Sequence, residues 1–300
     1  MERVTSKYAD WTRGQVEALI NIIGEETAKG LLAGDVSAEF KEVVKKFFDK
    51  HGRRIPEGLQ ANVCDANRDF RLDQPKLDEE VDFANRILRL HGCLSIDTEV
   101  TAEQLQAETE RLLAVIRENS QIANIANGVC LPVVLPKLVT DDLGAELELY
   151  LAGVDNSYAK TFGDRKFYNR RKGTLANEVS IVDGSRHDQL IGWMKEGPVI
   201  GLHLPNPLQG FSINASREQT ATLPEGFILS GIDTPIAMVM YPDILARDWN
   251  TPGLDLAALS CQSADYSLNF KAYGAKLDFI YTDGLAFAND YFSGGLLFLG

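Results

Sequence analysis

The chain has 300 residues, 45% of them hydrophobic, and sets 30 Lys plus Arg against 43 Asp plus Glu for a formal net charge of -13. That much apolar material excludes a disordered chain and builds a substantial core, and the length allows one large domain or two ordinary ones. The acidic balance works against tight, sequence-blind association with DNA or anionic membrane, so a nucleic-acid role would need a local basic patch.

The opening Met1 to Lys7 lacks the apolar core of a signal peptide, and no apolar run approaches the roughly 18 residues of a membrane span, so a soluble cytoplasmic protein without a membrane partner is expected. Cys64, Cys93, Cys130 and Cys261 are far apart and read as buried reduced thiols rather than a disulfide framework.

Thr12 is a candidate N-cap ahead of Val16, Leu19, Ile20 and Ile23 at helical spacing, and Gly24 closes that helix. A second short helix runs from Glu25 to Ala33, and a third is expected from Ser37 through Phe40, Val43, Val44, Phe47 and Phe48 to Gly52. Arg53 to Lys76 is polar and punctuated by Pro56, Gly58 and Pro75, which suggests a connecting loop. Two longer helices follow, one carrying Leu77, Val81, Ala84, Ile87 and Leu88, the other opening at the capping box of Thr101 with Gln104. Val129 to Leu135 is apolar but holds Pro132, which confines it to an edge strand or an extended loop. Leu143, Leu147, Leu151, Val154 and Tyr158 form a helical stripe.

After Lys172 short apolar stretches alternate with turn residues. Val179 to Val182, Val199 to Leu204, Phe211 to Asn214, Phe227 to Ser230, Tyr266 to Ala272, Leu277 to Tyr281 and Leu296 to Leu299 read as strands. Helices are expected near Arg186 to Lys195 and from Thr234-Pro235 towards Arg247, with Asp283-Gly284 and Gly294-Gly295 as turns. The expected fold class is α+β, a helical N-terminal half followed by a mixed α+β C-terminal half with a mainly antiparallel sheet. The expected domains are a small helical module over 1–52, a helical region with connecting loop over 53–128, and an α+β domain over 129–300.

Several stretches carry a resemblance: Arg165-Lys166-Phe167-Tyr168-Asn169-Arg170-Arg171-Lys172-Gly173, Pro205-Asn206-Pro207-Leu208-Gln209-Gly210, Tyr241-Pro242-Asp243-Ile244-Leu245-Ala246-Arg247-Asp248 and the terminal Ser293-Gly294-Gly295-Leu296-Leu297-Phe298. Together they resemble a family of uncharacterised bacterial hypothetical proteins with no assigned function. The resemblance implies neither a catalytic residue nor a fold.

The conspicuous chemistry lies between Tyr158 and Lys172, where six bases, Lys160, Arg165, Lys166, Arg170, Arg171 and Lys172, meet one acid, Asp164. Tyr158, Phe162, Phe167 and Tyr168 interleave with them, and cations beside aromatic faces hold phosphate, nucleic acid or an acidic protein surface. The same strip could instead dock on the acidic remainder of the chain with its aromatics in the core. His187, beside Asp183, Ser185 and Arg186, is a weak candidate for general acid/base catalysis. The four histidines and four cysteines lack metal-ligand spacing, and Asp65-x-Asn67-x-Asp69 lacks the glycine and the final acid of a calcium loop, so no metal is expected. No phosphate-binding, dinucleotide or hydrolase motif is present, and no cofactor is expected.

Two readings follow from different classes. The first is a non-enzymatic binding or assembly protein that meets a protein or another anionic partner through Arg165, Lys166, Tyr168, Arg170, Arg171 and Lys172. The second is an enzyme acting on a small anionic substrate, with Arg170 or Arg171 as anion clamp and His187 as acid/base. An apolar C-terminus, Leu296 to Gly300, fits either a core strand or contact with a second copy of the chain.

Overall fold

The computed structural model describes residues 12–37, 44–75 and 82–300. Contacts divide the chain into two units, residues 1–44 and 45–300, where sequence texture suggests boundaries at 52/53 and 128/129.

In the first unit Thr12 caps helix α1 (Arg13–Ile23) through a capping box with Gln15. Gly24, at φ 84°, ends α1 and starts α2 (Glu25–Ala33), which closes on a left-handed Gly34 and buries none of its residues. The third expected helix does not extend to Gly52: residues 38–43 lie outside the described residues, and 44–52 are not helical. There the Asp49 side chain accepts the backbone N–H groups of His51 and Arg53, and Gly52 takes φ 78°. This local turn brings Phe48 opposite Arg54 in an isolated bridge and lets Phe48 bury completely against Phe227. The side-chain turn competes with the helix and wins because it delivers Phe48 to the core.

The second unit follows with α3 (Phe83–Leu94), α4 (Ala102–Glu118), a 3-10 turn (Ala123–Asn127), β1 (Leu131–Leu135), α5 (Leu143–Phe162), β2 (Lys166–Asn169), β3 (Val179–Ile181) and α6 (His187–Glu196). The chain continues through β4 (Val199–Gln209), α7 (Ile213–Ala221), β5 (Phe227–Leu229), α8 (Asp233–Met240) and α9 (Pro242–Leu245). It ends with β6 (Gly253–Asp255), β7 (Leu259–Cys261), β8 (Ser267–Tyr273), β9 (Lys276–Thr282) and β10 (Phe292–Phe298). Before α3, residues 45–75 are extended or turning, so the N-terminal half is less helical than expected.

One sheet runs in the order β1-β4-β10-β6-β8-β9-β2, with β5 also on β10, while β3 and β7 form a separate pair. Two of its pairings, β10 with β6 and β2 with β9, are parallel. The sheet is therefore mixed rather than mainly antiparallel, because β2 and β9 are joined through a long excursion rather than a hairpin. β1 is an edge strand, and the edge tolerates Pro132. The 20-residue α5 forms along the stripe seen in the sequence and buries Leu147, Leu151, Val154 and Tyr158. With α3 and α8 it covers one face of the sheet, while α4 and α7 bring Leu112, Ile116 and Ile213 to a second core against Leu202, Leu204 and Leu296.

One strand expectation and one turn expectation fail. Phe211 to Asn214 is not a strand: the Ser212 hydroxyl accepts the N–H of Ala215 and caps α7. Gly294-Gly295 is not a turn but the middle of the central strand β10. A Cβ at Gly294 would come within 2.8 Å of Ser216 Oγ, and one at Gly295 within 2.8 Å of Ser230 Oγ, so glycine is required by close approach from both faces.

Candidate functional site

The structure splits the basic segment. At its start, α5 carries Tyr158 into the core against Phe162, and Lys160 Nζ donates to the Gly92 carbonyl oxygen, 3.1 Å away in the last turn of α3. Arg165 stacks on Phe162 and donates to the carbonyl oxygen of Arg247. These two charges are spent inside the molecule.

The remainder forms the second edge of the sheet. In β2 the period of two sends Phe167 inward onto Phe270 and leaves Lys166 and Tyr168 on the opposite face. Arg170 lies over the Tyr168 ring and reaches Asp278 at 3.3 Å, a carboxylate it shares with Lys276 at 2.7 Å. Arg171 stacks on Tyr281 and lies beside the Cys261 thiol, which burial nevertheless pushes above its ordinary value. Lys166 and Lys172 are exposed and form no ion pair among the described residues. Next along the same face, Lys276 and Lys271 lie over Tyr273, and Lys271 also lies over Tyr291. The result is a ladder of alternating cations and tyrosines across β2, β9 and β8. At the β2 edge, against α5, runs a cleft of about 340 Å³ whose walls include Glu148, Asp155, Tyr168, Arg170 and Lys172.

His187 is placed elsewhere. It is fully buried, its Nδ1–H donates to the Leu229 carbonyl oxygen and its Nε2 accepts the N–H of Ile232, each at 3.1 Å. Burial holds its imidazole below the ordinary value, so the neutral ring is a brace between α6 and the β5–α8 turn. The cleft that Arg170 lines does not include His187. Arg217 donates to the carbonyl oxygens of Ala257 and Leu259, and Arg247 pairs with Asp248. Among the described residues no group of three or more His, Cys, Asp or Glu is arranged to hold a metal ion.

Sequence reasoning missed two polar clusters. In the core, Asp233 accepts from His203 Nδ1 and Ser230 Oγ, both at 2.8 Å, and from the N–H of Gly231. Burial opposes the Asp233 charge, but these donors outweigh it and hold the carboxyl below its ordinary value. All three side chains are sealed from solvent, which makes the cluster a structural network rather than a reaction centre.

The other cluster opens to the surface. Asp255, at the end of β6, pairs across the sheet with Asn269 of β8 and Gly294 of β10, so all three face the α7 side. The Asp255 carboxyl has no hydrogen-bond or ion-pair partner among the described residues, and burial alone pushes it up to about 8. Asn269 is 3% exposed and its Oδ1 is likewise unpartnered. Both line a pocket of about 190 Å³ walled by Phe211, Phe287 and Phe292, with the exposed Asp283 also lining it. One signal was legible: Asp255 interrupts the otherwise apolar run Leu254 to Leu259. A lone acid inside a buried strand marks a site or a partner.

No family model, no curated protein and no solved structure matches the chain, so its geometry alone carries the functional reading.

Proposed function

We propose that this is a non-enzymatic binding protein that docks an acidic, extended segment of a protein partner along the free edge of β2. The observation carrying the reading is a strand edge, unpaired among the described residues, beside a row of basic side chains. The N–H groups of Lys166 and Arg170 are taken by Ala275 and Phe279. By the alternation of a parallel ladder, the peptide groups of Phe167 and Asn169 then turn to the open side. A strand added there would bond those groups and set alternate side chains against Lys166, Tyr168 and Arg170, with Lys172 just beyond. Charge complementarity favours an acidic partner: Asp278 is one carboxylate serving two cations, and Lys166 and Lys172 have none. The same charges repel a second copy of this edge, so the short basic strand discourages self-pairing while admitting an acidic segment.

Fluorescence anisotropy with a labelled synthetic peptide alternating Glu and Val tests the reading. Binding should saturate, weaken with salt, and fall at least tenfold in the triple variant K166Q/R170Q/K172Q. Replacing alternate peptide residues by Pro should weaken it too, because the added strand then loses donors. Equal binding by the triple variant, or binding of a thymidine oligonucleotide in preference to the peptide, would overturn it.

A further inference from the structure

We propose that the pocket between β6, β8 and the β9–β10 connection binds a small organic cation, a primary ammonium or an amidinium, through Asp255 and Asn269. This site is separate from the β2 edge and does not depend on the function proposed for it.

The pocket's unused polar atoms define the chemistry of the guest. Three acceptors are unspent: the two Asp255 carboxyl oxygens, with no partner among the described residues, and the buried Asn269 Oδ1, on a side chain 3% exposed. Thr282 Oγ1 and Asn289 Oδ1, in the same pocket, already accept the N–H groups of Gly284 and Tyr291. Leaving a buried acceptor unpaired costs about 1–3 kcal/mol, so the vacant acceptors call for a guest rich in N–H donors. Phe211, Phe287 and Phe292 also line the pocket; Lys271 lies over the Phe292 ring, and Arg53 lies over Phe211 while donating to the carbonyl oxygens of Gln209 and Cys64. Asp283 adds an exposed carboxyl group to the lining. A volume of about 190 Å³ limits the guest to a few heavy atoms.

The protein's own cations do not fill the role. Lys271, two residues from Asn269 on β8, sits over Tyr291 with its Nζ 3.3 Å from the phenol oxygen. Arg217 of α7 is bound to two carbonyl oxygens, and on β9 Lys276 is paired with Asp278. Glu218, the acid of α7, accepts the backbone N–H groups of Gln60 and Ala61. With no protein cation beside it, the buried Asp255 carboxyl keeps its proton at pH 7. Binding is an exchange in which Asp255 gives its carboxyl proton to solvent and the carboxylate receives the N–H donors of the cation.

Titration calorimetry of the whole chain with n-butylammonium, run at pH 7 in two buffers of different ionisation enthalpy, tests the exchange. The expected result is release of about 0.9 proton per amine bound, the protonated fraction at pH 7 of an acid at about 8. Affinity should rise with pH by up to tenfold per unit below that value. D255N, which keeps the side chain's shape, should lose the proton release and at least tenfold in affinity, with its circular dichroism spectrum unchanged. N269L should lose affinity while keeping the proton release. Binding of n-butanol or butyrate as tight as that of the amine, calcium binding in place of the amine, no amine binding at tens of millimolar, or unaltered binding by D255N would each overturn the proposal.

Discussion

Replacing Asp255 by Asn changes the pH dependence of stability in a way that follows from its burial. The carboxyl stands at an ordinary 3.8 when the chain is unfolded and about 8 when folded. Between those values the folded state holds a proton that the unfolded state has lost. Unfolding of the wild type therefore becomes easier as pH rises, by up to about 1.4 kcal/mol per unit. The stabilisation is intact below the lower value and gone above the upper one. Accumulated across the window, the loss is on the order of 5 kcal/mol, a large share of the roughly 5–15 kcal/mol that holds a domain together. Asn cannot ionise, so D255N lacks this slope. Urea unfolding of both proteins at intervals from pH 4 to 9 measures it: stability of D255N minus that of wild type should climb steadily and level off above about pH 8. Other titrating groups cancel in the difference. A difference constant within 1 kcal/mol across the range would show that the carboxyl is not buried as described, and would remove the physical ground for the proton exchange as well.

Asp233→Ala should cost about 3–5 kcal/mol by urea unfolding, because it strips His203, Ser230 and the N–H of Gly231 of their shared acceptor inside the core; a cost under 1 kcal/mol would refute the network. Since Asp233 sits below its ordinary value, the wild type should also lose stability as pH falls through the acid range, and the alanine variant should lose less. Gly295→Ala should cost about 1–3 kcal/mol through the contact with Ser230, whereas Gly192→Ala, with open space at its Cβ in α6, should gain about 0.5–1 kcal/mol; equal shifts in thermal midpoint would contradict the packing described. Thr101→Ala should cost about 1 kcal/mol by removing the cap of α4, and no change in the unfolding midpoint would deny the cap its role.

What the sequence disclosed was mostly local chemistry. The pairing of Thr101 with Gln104 announces the start of α4, Pro132 announces an edge, and a stripe from Leu143 to Tyr158 announces α5, because each depends on neighbours within a turn or two. The failures share the opposite property. Gly294-Gly295 looks like a turn until Ser216 and Ser230 are seen pressing on it from α7 and from the loop after β5. Phe48 leaves its helical pattern for a ring more than a hundred residues away. The bases between Tyr158 and Lys172 are visible as a strip, yet nothing local separates Arg165, spent on the Arg247 carbonyl, from Lys166, which faces solvent. The parallel pairing of β2 with β9 makes that division, and pairing over such a distance has no local signal.

Asp255 differs from the buried ionisable groups that this chain pairs internally, because it shares a cavity with a second unpartnered acceptor. Asp233 is met by three donors and His187 uses both ring nitrogens in the core, and the half-buried Arg86 pairs with Asp243 and the Met240 carbonyl oxygen. Asp255 is 6% exposed at the wall of a pocket, has an amide acceptor beside it that is equally unserved, and lies on the same sheet face as Lys271. Lys271 is drawn to Tyr291 and to the ring of Phe292, which itself forms a wall of the pocket. An acid and an amide oxygen left without partners in one cavity place a cost where a ligand can recover it.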